Sequence, residues 1–271
     1  MPVATESATK HSLQHGQHEN IGGALTRTTC HSIRLLLLLA ACAAALTTPA
    51  RAQGNATPSF SALDSIDARV QGCVTCHGRS GEGTASGYFP RIAGKPSGYL
   101  YNQLAAFRDG TRRYPPMNYL VATLPDAYLH EIADHFARQR PPFGAPQGPV
   151  ADAATLLRGK TLVTAGDRTA GVPACVACHG AALTGMQPGI PGLVGLRPNY
   201  IVAQLTSWRV GNRHAPAPDC MKRIASRLSD ADVGAVAAWL SQQEPPKKDS
   251  PGSTDLERMP LACGSQGQAD R

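Results

Sequence analysis

Cys73-Val74-Thr75-Cys76-His77-Gly78 recurs downstream as Cys175-Val176-Ala177-Cys178-His179-Gly180, and this repetition decides the fold. The flanks repeat with it. Pro90 and Gly94 match Pro191 and Gly195. Tyr99-Leu100, Gln103-Leu104, Phe107-Arg108, Gly110 and Arg112 match Tyr200-Ile201, Gln204-Leu205, Trp208-Arg209, Gly211 and Arg213. Met117 pairs with Met221. Leu129, Ile132, Ala133 and Phe136 pair with Val233, Val236, Ala237 and Leu240. A unit of this length is a duplicated domain, because solenoid repeats are shorter.

Cys-x-x-Cys-His is the attachment signature of c-type haem. Two thiols one helical turn apart can each add to a vinyl group of the porphyrin. The adjacent histidine then projects over the iron as the proximal ligand. Covalent attachment also suits a small domain, whose core alone is thin. A zinc site would need further ligands in regular spacing, and exported thiols tend to oxidise. A thioredoxin-like pair would need a strand–helix setting, and no strand is legible. Two haem c groups are therefore predicted, bonded through Cys73, Cys76, Cys175 and Cys178, with His77 and His179 on the irons.

Methionine is the natural sixth ligand. Met117 lies 40 residues after His77, in Tyr114-Pro115-Pro116-Met117, which reads as a rigid loop. Met221 lies 42 residues after His179. A lone methionine is more often pliable core filler, but matched placement in both copies favours Met117 and Met221 as axial ligands. Met186, seven residues past His179, would have to fold back over the wrong haem face. His/Met ligation raises the reduction potential and leaves no vacant coordination position. No catalytic residue is predicted, and the chain reads as an electron carrier rather than an enzyme.

Apolar residues elsewhere follow helical spacing, so the expected class is all-α. One helix leads to each cysteine motif, with Leu156, Leu157 and Lys160 to Val163 in the second copy. A middle helix follows Ser97 and stops at Gly110, burying Leu100, Leu104 and Phe107. A last helix begins near Pro125 with the stripe Leu129, Ile132, Ala133 and Phe136. Its counterpart starts at Ser229, with Asp232 three residues on as a capping-box signature. These stripes read as core, forming pocket walls. The proline-rich stretch 143–149 reads as a stiff linker.

The chain has 271 residues with 27 Gly and 22 Pro, which suits short helices joined by turns. Arg34 precedes the apolar run Leu35 to Leu46, and Ala50-Arg51-Ala52 follows as a small-residue cut site. This is an export signal, too short to span a bilayer. Leu39-Ala40-Ala41-Cys42 offers a second reading, a lipobox that would anchor the protein through a lipid on Cys42. The expected division is a signal peptide over 1–52, a first domain over 53–142, the linker 143–149, a second domain over 150–244 and a surface tail over 245–271. Removing 1–52 takes away Lys10, Arg27, Arg34, Arg51, Glu6 and Glu19, leaving a net charge of +5. Haem propionates would offset most of that, and no basic-aromatic motif supports nucleic-acid binding.

Together these residues resemble the di-haem cytochrome c family of the c-four type, two class I cytochrome c domains in tandem. The resemblance runs over most of residues 59–244. It rests on Cys-x-x-Cys-His-Gly, Phe89-Pro90-Arg91-Ile92-Ala93-Gly94, the Tyr-Leu-x-x-Gln-Leu helix start and the late methionine. It implies domains facing each other with a haem edge on each side. It also implies Pro90 and Pro191 carbonyls that orient the two histidines. By the same resemblance, the partners are redox proteins of the periplasm: a dehydrogenase or cytochrome bc-type complex as donor and a terminal oxidase or other acceptor.

The chain departs from the simple pattern in three places. Gly166 to Gly171 is inserted before the second cysteine pair, and the approach to Met221 is lengthened between Ala215 and Cys220. Cys220 and Cys263 are left over. In an oxidising compartment they are expected to form a disulfide that pins the tail beside the second haem. A loop of about 40 residues would stabilise by roughly 3–4 kcal/mol in the chain-entropy model. Two free thiols are the plain alternative. The sharper one puts Cys220 on iron in place of Met221, as in a di-haem thiosulfate dehydrogenase. Arg108, Arg112 and Arg113 are expected to rim a docking face or to form a solvated turn.

Overall fold

The computed structural model describes residues 64–146, 148–149, 151–246, 250–253 and 259–266. The predicted export signal and Cys42 lie outside them. The first half opens with α1 (Ile66–Arg69) and α2 (Gln71–His77), which ends in the histidine of the motif. Then come α3 (Ser97–Arg108), α4 (Pro115–Val121) and α5 (Asp126–Arg138). The second half repeats the order as α6 (Ala153–Thr164), α7 (Val176–His179), α8 (Pro198–Arg209), α9 (Cys220–Ala225) and α10 (Asp230–Ser241).

Local chemistry sets the ends of these helices. The Asp152 side chain accepts the Thr155 N–H at 2.8 Å and starts α6. Ser229 and Asp232 form the expected reciprocal capping box at the start of α10, an N-terminal device worth about 1 kcal/mol. In α5, Asp126 occupies the first turn and His135 and Arg138 the last, each sign matched to the helix dipole. Its apolar stripe is buried as read: Leu129 and Ala133 are fully enclosed, with Ile132 and Phe136 beside them. Enclosing a side chain such as Phe136 contributes about 1.5–3 kcal/mol.

The two halves lie within one compact unit, Pro58–Arg271. In the second half α6 packs along α10, and Gly159 permits the close approach: a Cβ there would sit 2.1 Å from the Ala235 carbonyl oxygen. Leu162, Val163, Val236 and Leu240 from this pair join Ile201 and Leu205 of α8 in one core. In the first half α3 crosses α5 around Leu100, Ile132 and Phe136.

Four expectations need correction. Met117 is the third residue of α4, not part of a loop, because Pro115 and Pro116 occupy the first helical positions, where a missing N–H costs nothing. A small sheet exists where no strand was legible. β1 (Gly185–Gln187) pairs antiparallel with β2 (Ile190–Pro191) and parallel with β3 (Gly252–Ser253). Strands of two or three residues carry no readable alternation. The tail is not simply a surface coil, since it supplies β3 and a 3-10 turn, Gly264–Gln266, that buries Gln266. Finally, Arg112 is buried at the junction of the halves rather than solvated. Arg108, by contrast, pairs with Asp109 and Asp126 near the surface.

Candidate haem sites

Each cysteine pair lies within or at the start of a helix that ends in histidine, so thiols and imidazole emerge from one turn. Gly78 and Gly180 close these helices, both at φ 84°. His77 and His179 are buried, and each ring is pinned from behind. His77 Nδ1 lies 2.9 Å from the Pro90 carbonyl oxygen, and His179 Nδ1 lies 2.7 Å from that of Pro191. A carbonyl can only accept, so Nδ1 carries the proton and Nε2 is left as an unprotonated donor atom for a metal. Burial keeps both rings neutral, pushing His77 below the ordinary imidazole range and His179 down to about 4.

Two glycines that the motif reading passed over make this pin possible. Gly83 and Gly185, each six residues after its histidine, have φ of 79° and 96°. A Cβ would stand 2.8 Å from the Pro90 carbonyl carbon in one case and 2.9 Å from that of Pro191 in the other. Any larger residue would push the proline carbonyl off the ring. Their equal offset from the two histidines was the available signal.

Burial pushes the Cys73 and Cys175 thiols up to about 11, and Cys178 is raised in the same way. As thioethers these sulfurs would carry no charge, which suits such surroundings. All four cysteines of the two motifs are free of disulfides.

In the second half, Cys175, Cys178, His179 and Met221 line one cavity of about 530 Å³, within the ~300–1,000 Å³ typical of ligand sites. Its walls include Ile190, Leu193, Leu205, Ile224 and Leu240. In the first half Cys73 packs beside Val70 and Leu100. Met117 packs with Phe107, Val121 and Leu129 in a neighbouring cluster, and Tyr101, Leu104 and Leu124 belong to both clusters.

A porphyrin fits the second cavity on chemical grounds. Besides the apolar walls, Trp208 Nε1 is buried with no hydrogen-bond partner among the described residues, and buried Arg213 also reaches this space. An orphan N–H and a guanidinium are the donors that carboxylate arms of a ligand would use.

Between the halves lies a polar cluster with pseudo-twofold arrangement. Arg112 donates to Gln103 Oε1 at 3.0 Å, Gln204 Oε1 at 2.7 Å and Tyr200 Oη at 3.3 Å. Arg213 donates to Gln204 Oε1 at 2.8 Å, Gln103 Oε1 at 2.8 Å and Tyr99 Oη at 3.1 Å. Each guanidinium also covers an aromatic ring, Arg112 that of Phe107 and Arg213 that of Trp208. The backbone zips the halves together: Arg113 N–H donates to Asn212 O at 2.7 Å and His214 N–H to Thr111 O at 2.9 Å. In the sequence Tyr99, Gln103, Tyr200, Gln204 and Arg213 stand out only as matching repeat positions, and Arg112 and Arg113 as a docking rim or a solvated turn.

Cys220 is bonded to Cys263. A disulfide sulfur offers iron no thiolate, so in this structure Cys220 does not stand in for Met221. Met186 lies in β1 against Gly180 and Gly252.

A buried histidine held through Nδ1, with two adjacent cysteines in a small helical fold, defines a cytochrome c domain, and the chain contains it twice. The chain belongs to the cytochrome c family, whose model matches residues 68–135 and 156–244, and within it to the di-haem c4 type. Among relatives, it is 36% identical over 171 residues to a thiosulfate dehydrogenase electron acceptor of Thiomonas intermedia, covering 63% of this chain and 78% of that protein. It is similar to the solved cytochrome c4 of Pseudomonas stutzeri, at 30% identity and TM-score 0.57, over 66% of this chain and 96% of the other. The thiosulfate dehydrogenase structure from Marichromatium purpuratum matches at 31% identity and TM-score 0.57, over 64% of this chain but only 36% of that one. Cytochrome c domains bind haem c covalently, and the family's work is electron transfer.

Proposed function

We propose that this chain is a periplasmic carrier of two haem c groups that passes single electrons from a dehydrogenase to a terminal oxidase or other acceptor. Its domains span 53–142 and 150–244, joined by 143–149. Cys73 and Cys76 hold the first haem, with His77 and Met117 as axial ligands. Cys175 and Cys178 hold the second, with His179 and Met221. The observation that carries the reading is the duplicated histidine pin, a buried imidazole with Nδ1 on a proline carbonyl beside two unpaired cysteines.

The haem iron supplies the redox change between its ferric and ferrous states. The protein's part is to keep that change cheap. The Pro90 and Pro191 carbonyls hold the proton on Nδ1 and so fix each ring. The apolar walls would shield a bound haem from water, and Met117 and Met221 would be the side chains that, with His77 and His179, hold the irons and close them to substrate.

The donor class we infer is a thiosulfate-oxidising dehydrogenase, because a 36% identical relative is named as the electron acceptor of one. No helix among the described residues is long and apolar enough to cross a membrane, so membrane contact would come through partners or a lipid on Cys42.

Mature protein should contain two haems per chain by pyridine haemochrome. The Cys175→Ala/Cys178→Ala variant should contain one. Mixed with a thiosulfate dehydrogenase and thiosulfate, the ferric protein should be reduced rapidly in stopped flow. A single haem per wild-type chain would overturn the cofactor reading. Failure of reduction by that enzyme would overturn only the donor.

A further inference from the structure

Helix α9 opens with Cys220 and Met221, so the proposed sixth ligand of the second iron is one peptide bond from a disulfide. The partner, Cys263, is itself anchored. Gly264 N–H donates to the Pro218 carbonyl at 3.0 Å. A Cβ on Gly264 would stand 2.2 Å from the Ala217 carbonyl oxygen, so the tail lies flat on the chain entering α9. The 3-10 turn that follows buries Gln266. Asn102 of α3, in the other half, donates to the Ser265 carbonyl at 3.2 Å. Met259, Leu261 and Gln266 line the same cavity as Cys178, His179 and Met221.

The duplicated fold offers an internal comparison. In the first half the residue after the methionine is Asn118. Its amide Nδ2 donates to Phe107 O at 2.5 Å and Arg112 O at 2.8 Å, while its Oδ1 accepts the Tyr114 N–H at 2.7 Å. Asn118 thus staples the start of α4 to the end of α3. Its counterpart in the second half is Lys222, which is exposed. Asp219 caps α9, accepting the Lys222 and Ala215 N–H groups, but these belong to the first turn of α9 and the loop leading into it. Ala225 packs into the core with Met221 and Ile224 against it, so it is the first turn of α9 that depends on the tail, held to it by the Cys220–Cys263 sulfurs and the Gly264–Pro218 hydrogen bond.

We propose that the segment Met259–Gln266, tethered by Cys220–Cys263, is a lid on the second haem pocket that positions Met221 on its iron, doing there what Asn118 does for Met117. This rests on Met221 being the ligand. With the tether cut, the first turn of α9 is freed on the pocket side, Met221 loses its hold and small ligands gain access. The first haem is untouched.

The test uses mature wild-type protein. A dithiol reductant gives two electrons and two protons to the Cys220–Cys263 bond and closes to its own cyclic disulfide. The two new thiols are capped with iodoacetamide and counted by mass; the haem thioethers are not disulfides and stay. After reoxidation, about half of the ferric methionine–iron charge-transfer band should be lost. In the ferrous protein, carbon monoxide should bind one haem of the two roughly 10–100-fold faster than before. The Cys220→Ala/Cys263→Ala variant should behave alike. Asn118→Ala should show the complementary loss at the first haem with the disulfide intact. A full band and unchanged carbon monoxide binding in protein with both thiols capped would overturn the lid. Intact protein lacking that band at its second haem would instead overturn the Met221 assignment, and the lid with it.

Discussion

Gly159→Ala should destabilise the protein, although alanine is the better helix former. The added methyl would stand 2.1 Å from Ala235 O, 2.7 Å from Ala235 C and 2.8 Å from Trp239 Cβ. Two of these atoms are backbone of α10 and cannot rotate away. Real carbon contacts do not fall below 3.0 Å, so α6 and α10 must part by nearly an ångström along their seam. Overpacking of this kind costs about 1–3 kcal/mol, and the collision with backbone puts it near the top of that range. The gain in helix propensity returns about 1 kcal/mol. The net loss is therefore about 2 kcal/mol, or a fall in Tm of about 4–8 °C for a unit of this size. Gly234, on the partner helix, is the control, because a Cβ there meets nothing within 4 Å. Gly234→Ala should raise Tm by about 1–4 °C through propensity alone. Both are read from thermal unfolding of the haem-loaded protein by circular dichroism. A Gly159→Ala protein as stable as wild type would refute the tight seam between α6 and α10.

Other outcomes follow from the same structure. Met117→Leu should leave both haems attached but lower the potential of the first, since a thioether ligand favours ferrous iron; an unchanged redox titration would sink that ligand assignment. Arg213→Met should leave the Gln103 and Gln204 carbonyls short of a buried donor, a loss of roughly 1–3 kcal/mol, and speed amide exchange in α3 and α8 together. Exchange confined to α8 would mean that the cluster does not couple the halves. Arg158, hydrogen-bonded to the Asp232 carboxylate, holds it below its ordinary value of 3.8, with Ser229 adding to the effect. That stability is fully present above 3.8 and is lost as pH falls through the lower folded value. In a Tm–pH series the acid-side decline of Asp232→Asn should therefore be shallower than that of wild type. Parallel curves would show that the pair contributes nothing.

Most of each half was legible because its signals are local. The Cys-x-x-Cys-His run spans one helical turn. The α5 stripe Leu129, Ile132, Ala133 and Phe136 follows the helix period, and the Ser229–Asp232 box closes over three residues. Duplication strengthens weak signals: Met117 alone reads as filler, while its matched placement with Met221 makes the two candidate ligands. Gly83 and Gly185 were visible but mute, because their value lies in how closely a proline carbonyl approaches them.

Sequence alone determined the cytochrome c motifs, the doubling and the helical class, since these depend on residues within a few turns of one another. Tertiary structure decided which groups meet across the halves. Arg112 and Arg213 share the carbonyls of Gln103 and Gln204. Such contacts form between residues dozens of positions apart. A polar side chain advertises its need for a partner but not the partner's address, which only the folded path of the chain supplies.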